Sequence, residues 1–150
     1  MPLQRDLREF IELLNSRRVE YLIVGAFALA FHGVPRFTGD IDILVRTSAE
    51  NAARVEGVLR AFSFASLGLS AADFVRPDQV IQLGHPPNRI DLLTSITGVT
   101  FEEAWDSCVP GELHGVPVRF LGREALIRNK RATGRMQDKA DLEALGAEVN

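Results

Sequence analysis

Cysteine is nearly absent from this chain: Cys108 stands alone, so no intrachain disulfide framework can hold the fold, and the composition suits a reducing cytoplasm. A lone cysteine reads as a small core residue. Histidine is scarce as well. His32, His85 and His114 lie scattered beside turn residues, without partners at ligand spacing, which argues against a zinc site. No apolar run approaches the roughly 20 residues needed to cross a bilayer, and no signal sequence is visible, so no membrane association is expected. The formal net charge is only −3, so bulk electrostatics do not draw nucleic acid to the surface. Internal repeats and low-complexity linkers are missing too.

What is present fits one α/β domain over residues 1–150. Hydrophobic residues fill 46% of the 150 positions and charged residues 25%, enough apolar material for a real core and an ordinary surface. Leu3, Leu7, Phe10, Ile11 and Leu14 form one stripe of a first helix with Pro2 near its start. Thr47 and Glu50 predict a capping box that opens a helix through about Phe62, with Val55, Val58, Leu59 and Phe62 buried. Residues 65–78 read as a loop with one helical turn from Ala71. Thr100 and Glu103 predict a second capping box before Trp105, which reads with the phenylalanines as core. Residues 112–120 predict a hairpin around His114-Gly115, and helices near 122–133 and 137–146 follow.

The most specific stretch is residues 21–45. Tyr21–Val24 reads as a short buried strand, and Gly25-Ala26 leads into good helix formers through Phe31. A glycine at that junction exposes backbone N–H groups to an anion such as phosphate; it equally allows close packing of helix on strand. Downstream comes Asp40-Ile41-Asp42. Side chains two apart on a strand share a face, their Cα atoms roughly 6.5 Å apart at about 3.3 Å per residue, so Asp40 and Asp42 project together. Core packing does not call for that pair. Their repulsion raises a pKa or costs stability unless a cation lies between them, and a hard divalent ion such as Mg²⁺ is the natural choice.

A third carboxylate lies further along. Gln79–Leu83 and Ile90–Leu93 read as the two strands of a hairpin around the turn His85-Pro-Pro-Asn-Arg89, which leaves Asp91 as a lone charge in an apolar run. Such a residue caps a strand end, joins a salt bridge, or coordinates a metal. If its strand lies beside Asp40 and Asp42, three carboxylates converge.

Gly25-Ala26, Asp40-Ile41-Asp42 and a later strand aspartate together resemble the signature of the nucleotidyltransferase superfamily, whose fold is shared with DNA polymerase β. The fuller run G-A-F-A-L-A-F-H-G-V-P-R-F-T-G-D-I-D is similar to the small bacterial nucleotidyltransferases grouped with AbiEii-type abortive-infection toxins. Residues 126–130, Arg135 and 138–142 extend the resemblance over nearly the whole chain. It implies a mixed sheet flanked by helices, and transfer of a nucleoside monophosphate from a nucleoside triphosphate to a hydroxyl of tRNA or protein, in a toxin–antitoxin or phage-defence setting with an antitoxin partner. Asp40 and Asp42 would ligate Mg²⁺ or Mn²⁺, with Asp91 as a further ligand or the group that takes the acceptor proton. Gly25, Ala26, Arg36, Thr38 and Lys130 would contact the triphosphate. The family usually has Gly-Gly or Gly-Ser where this chain has Gly25-Ala26, so a nucleotide-binding or partner-binding module with decayed catalysis is the alternative reading. Arg128 and Arg131 read as a solvated helix face. Asp138 and Asp141 read as a structural pair holding Lys130 or Arg135.

Overall fold

A computed structural model describes residues 2–35, 39–62, 68–84 and 89–148, with the backbone alone for residues 2–5. Helix α1 (Pro2–Ser16) is followed by strand β1 (Tyr21–Val24), helix α2 (Gly25–Phe31), strand β2 (Ile41–Val45) and helix α3 (Ala49–Ala61). A 3-10 turn (Ala71–Phe74) precedes β3 (Val80–Leu83), β4 (Ile90–Leu93), α4 (Phe101–Asp106), β5 (Val109–Leu113), β6 (Val116–Phe120), α5 (Arg123–Thr133) and α6 (Met136–Ala144). The six strands form one sheet in the order β3-β4-β2-β1-β6-β5. β1 pairs antiparallel with β2 and parallel with β6, and β2 pairs parallel with β4, so the sheet is mixed, as the family resemblance implies.

Position in the sheet follows composition. All four residues of β1 are buried, as a central strand packed on both faces requires, and β2 is buried at every position except Asp42. The hairpins β3–β4 and β5–β6 both form, the second around His114 and Gly115, whose φ values of 52° and 81° match the mirror-image turn that suits strand twist. Phe10, Ile11 and Leu14 of α1 are buried in the core together with Val55, Val58 and Leu59 of α3, and Phe62 packs edge-on to Phe10. The side chain of Leu3 lies outside the described residues. Trp105 and Cys108 pack at the core margin, half-buried.

One cap differs from the sequence reading. Ser48, immediately before α3, receives the amide of Asn51 on its hydroxyl at 3.2 Å, while Glu50 pairs with Arg54 at 2.6 Å instead of closing a box with Thr47. The serine wins because it stands at the residue where the backbone is still extended. Buried Asn51 then ties the adjoining ends of the central strands β1 and β2 together: its side-chain oxygen accepts from the backbone N of Glu20 at 2.7 Å and its nitrogen donates to the carbonyls of Glu20 and Arg46. The Thr100–Glu103 box at α4 forms as expected. No helix among the described residues is long and apolar enough to cross a membrane.

Candidate active site

Two short sequences lie side by side in the sheet. Asp40-Ile41-Asp42 leads into β2 and Arg89-Ile90-Asp91 into β4, and because these strands are parallel and in register, Ile41 faces Ile90 and Asp42 faces Asp91. Neighbouring strands are about 4.8 Å apart, so the carboxyls of Asp42 and Asp91 project from the same face as lateral neighbours. The amide of Ile41 donates to the carbonyl of Arg89 at 3.0 Å, which continues the pairing one residue further.

One guanidinium stands among the three carboxylates of this patch. The Arg89 guanidinium grips Asp91 in a two-pronged pair, Nε to Oδ1 at 2.6 Å and Nη2 to Oδ2 at 3.0 Å. Its backbone N donates to Asp40 Oδ1 at 2.8 Å, and Nη2 lies 3.9 Å from Asp40 Oδ2. Those carboxylates hold the Arg89 proton more firmly than usual, chiefly through the hydrogen bond to Asp91. Asp42 behaves oppositely: burial, then repulsion from Asp91 and Asp40, pushes its carboxyl up to about 6, with Arg89 and Lys130 pulling it partly back. No three carboxylate, histidine or cysteine side chains in the described residues meet in a group able to hold a metal ion. The donor chemistry nevertheless suits a hard divalent cation, because the oxygens are all carboxylate and Asp42 lies directly beside Asp91 on the neighbouring strand.

Gly25 completes the patch. It sits at φ +65°, and a Cβ there would lie 2.2 Å from Asp42 Oδ2, so the Asp42 carboxyl occupies space that only glycine leaves open. The following Ala26 is half-buried in the first turn of α2, where no side chain caps the backbone N–H groups.

Lys130 reaches the site from α5 and is buried. Its Nζ lies 3.0 Å from Asp141 Oδ2 and 3.4 Å from Asp138 Oδ1, and both aspartates are themselves buried in α6. Burial alone would raise the Asp138 carboxyl. Hydrogen bonds from Arg135 and Thr133, the Arg135 backbone N–H and the Lys130 charge outweigh it and hold that carboxyl well below the ordinary value of 3.8. A depressed carboxyl stabilises the fold above its unfolded value and loses that contribution as pH falls below it. Asp138→Asn is therefore expected to cost about 3 kcal/mol at pH 7, because it removes the buried charge that Arg135, Thr133 and Lys130 share and leaves Lys130 with Asp141 alone, and the deficit shrinks toward pH 3. Urea unfolding of both proteins across that pH range reads the difference. Arg128 and Arg131 lie on the exposed face, engaged with Glu103 and with the Glu148 carbonyl.

The sheet thus brings Asp42 beside Asp91 with Asp40 and Gly25 around them, and Lys130 within electrostatic reach. Arg36 and Thr38 lie outside the described residues, as does His85. Sequence reasoning missed Arg89, which it left as the last residue of a turn. The same two-residue alternation applied to Asp40 and Asp42 would have found it, since Arg89 stands two before Asp91. His32, a turn residue in sequence, anchors its ring to the Leu121 carbonyl at 2.7 Å.

No family model matches the chain, and no curated protein matches it in sequence. Solved structures do. A protein of Thermotoga maritima described as a nucleotidyltransferase superposes with TM-score 0.61 at 19% identity, covering 93% of this chain and 89% of that one. ANT(2″)-Ia, in complex with adenylyl-2″-tobramycin, gives 0.51 at 19% identity over 85% and 73% of the two chains. An antigenic nucleotidyltransferase-like protein of Paracoccidioides brasiliensis gives 0.54 at 19% identity over 95% and 73%. With its mixed six-stranded sheet flanked by helices, this chain has the nucleotidyltransferase fold.

Proposed function

We propose that residues 1–150 form a metal-dependent nucleotidyltransferase that moves a nucleoside monophosphate from a nucleoside triphosphate to an acceptor hydroxyl. One observation carries the reading: parallel pairing sets Asp42 beside Asp91, at the turn where Gly25 yields space to Asp42. In this reaction the acceptor oxygen bonds to the α-phosphorus as the bond to the bridging oxygen breaks, and pyrophosphate leaves. Bound Mg²⁺ or Mn²⁺ would neutralise charge developing on the attacking and leaving oxygens. Asp40 and Asp42 are the residues to hold it, and Asp91 is the carboxylate to join them or to take the proton of the acceptor hydroxyl. Gly25 and Ala26 leave the backbone open to the triphosphate, with Arg36, Thr38 and Lys130 as its further contacts.

The acceptor class follows from resemblance: tRNA or a protein hydroxyl, in a cytoplasmic toxin paired with an antitoxin or in a phage-defence system. The adenylyl-tobramycin held by ANT(2″)-Ia adds an aminoglycoside hydroxyl to the acceptors worth testing. Incubation with each α-labelled triphosphate, Mg²⁺ or Mn²⁺, and total RNA, total protein or tobramycin is expected to label one acceptor class. A γ-label is expected to leave with pyrophosphate. Silence with all four nucleotides on every acceptor sinks the reading and leaves the decayed binding module, marked by Ala26. In that case Ala26→Gly or Ala26→Ser is expected to restore triphosphate binding by calorimetry.

A further inference from the structure

The mechanism above leaves one charged side chain of the site unused. Arg89 shares the face of Asp91, because the two stand two apart on one strand, and it shares an edge with Asp40, because the parallel register sets Arg89-Ile90-Asp91 alongside Asp40-Ile41-Asp42. Its guanidinium engages both oxygens of Asp91. The Asp91 side chain is only 10% exposed, and without a counter-charge it would be a buried, uncompensated carboxylate. Lys130 cannot take over that duty while it is held between Asp138 and Asp141.

We propose that Arg89 is a resident counter-ion that competes with the divalent metal for Asp91 and Asp40, holding the carboxylates in place until the ion displaces it. This inference rests on the metal-dependent reading above. Three features support displacement in place of a permanent bridge. A carboxylate gripped at both oxygens by a guanidinium offers its in-plane lone pairs to hydrogen bonds, and a metal needs the same electrons. The Arg89 backbone is fixed separately, by its N–H bond to Asp40 Oδ1 and by the Ile41 amide on its carbonyl, so the strand keeps its register when the side chain leaves. Its side chain is 24% exposed, which gives the guanidinium an outward route and, once released, a position for the anionic triphosphate.

Direct Mn²⁺ titration without nucleotide tests this, on wild type, Arg89→Met and Arg89→Lys, alongside melting temperatures in EDTA. Met keeps the bulk without the charge; Lys keeps the charge without the two-pronged grip. If Arg89 competes, Arg89→Met binds Mn²⁺ at least about tenfold tighter than wild type, since a charge-assisted pair no longer has to be broken. Its metal-free melting temperature falls, and Arg89→Lys lies between on both measures. Unchanged or weaker Mn²⁺ binding by folded Arg89→Met overturns the proposal. If that variant fails to fold in EDTA, Arg89→Lys decides: affinity equal to or below wild type overturns it. No Mn²⁺ binding by any of the three removes the proposal together with the metal reading, whereas absent label transfer with the competition intact counts against the transferase alone.

Discussion

Asp42→Asn is expected to move activity and stability in opposite directions. Loss of one carboxylate from a set that acts together should lower kcat/KM for nucleotidyl transfer by about a thousandfold or more. The metal-free protein should become more stable at pH 8, by roughly 1 kcal/mol once solvent screening of a half-buried group is allowed for. The sign follows from burial and from Asp91 and Asp40, which push the Asp42 carboxyl up to about 6 from its ordinary 3.8. A raised carboxyl favours the fold while protonated and loses that contribution as pH climbs through its folded value. The stabilising effect of asparagine is therefore present above pH 6 and fades toward pH 4. Thermal unfolding in EDTA at pH 8 and pH 4, with label transfer at pH 8, checks both halves. Equal melting temperatures for both proteins at pH 8 would remove the electrostatic argument.

Gly25→Ala is expected to be nearly as damaging, for a reason that is steric. Two costs combine: φ of +65°, where a Cβ costs about 1–2 kcal/mol, and a Cβ placed 2.2 Å from Asp42 Oδ2. Relief means moving either the turn or the carboxylate, so a stability loss of about 3 kcal/mol is expected together with transfer at background level. Gly146→Ala separates the two costs. Gly146 also has positive φ, at +77°, yet a Cβ there meets nothing within 4 Å, so its replacement should show the backbone penalty of about 1 kcal/mol and leave transfer intact. If both variants lose the same stability and both keep activity, the contact with Asp42 has no consequence.

Much of this arrangement is legible in the sequence because it depends on periods of two and on punctuation. The Tyr21–Val24 strand, the hairpin strands on either side of residue 85, the Thr100–Glu103 cap and the helix carrying Lys130 follow from short apolar runs, turn residues and capping pairs. What alternation cannot give is which strand lies beside which. Nothing local tells Asp91 that its neighbour is Asp42, since parallel pairing joins residues through a long crossover. Family resemblance supplied that expectation. The Ser48 cap and the role of Arg89 were missed for a different reason: each sits one step outside a pattern that a neighbouring residue satisfies on paper. Thr47 makes a capping box with Glu50 by spacing, and Arg89 closes a proline turn by composition. The spacing of Asp138 and Asp141 predicts a structural pair holding Lys130 or Arg135, and Asp138 holds both, from full burial.

The parallel register of β2 and β4 also has a consequence in time. Asp40 and Asp42 come together through strand alternation alone, but Asp91 reaches them only after the chain has closed the crossover containing α3, the 3-10 turn and β3. Closing so long a loop costs entropy before any contact repays it, which makes such pairings late events in folding. A nascent chain that has emerged only as far as β2 therefore carries two aspartates with no third to meet them, and the patch acquires its chemistry as one of the last things the sheet does.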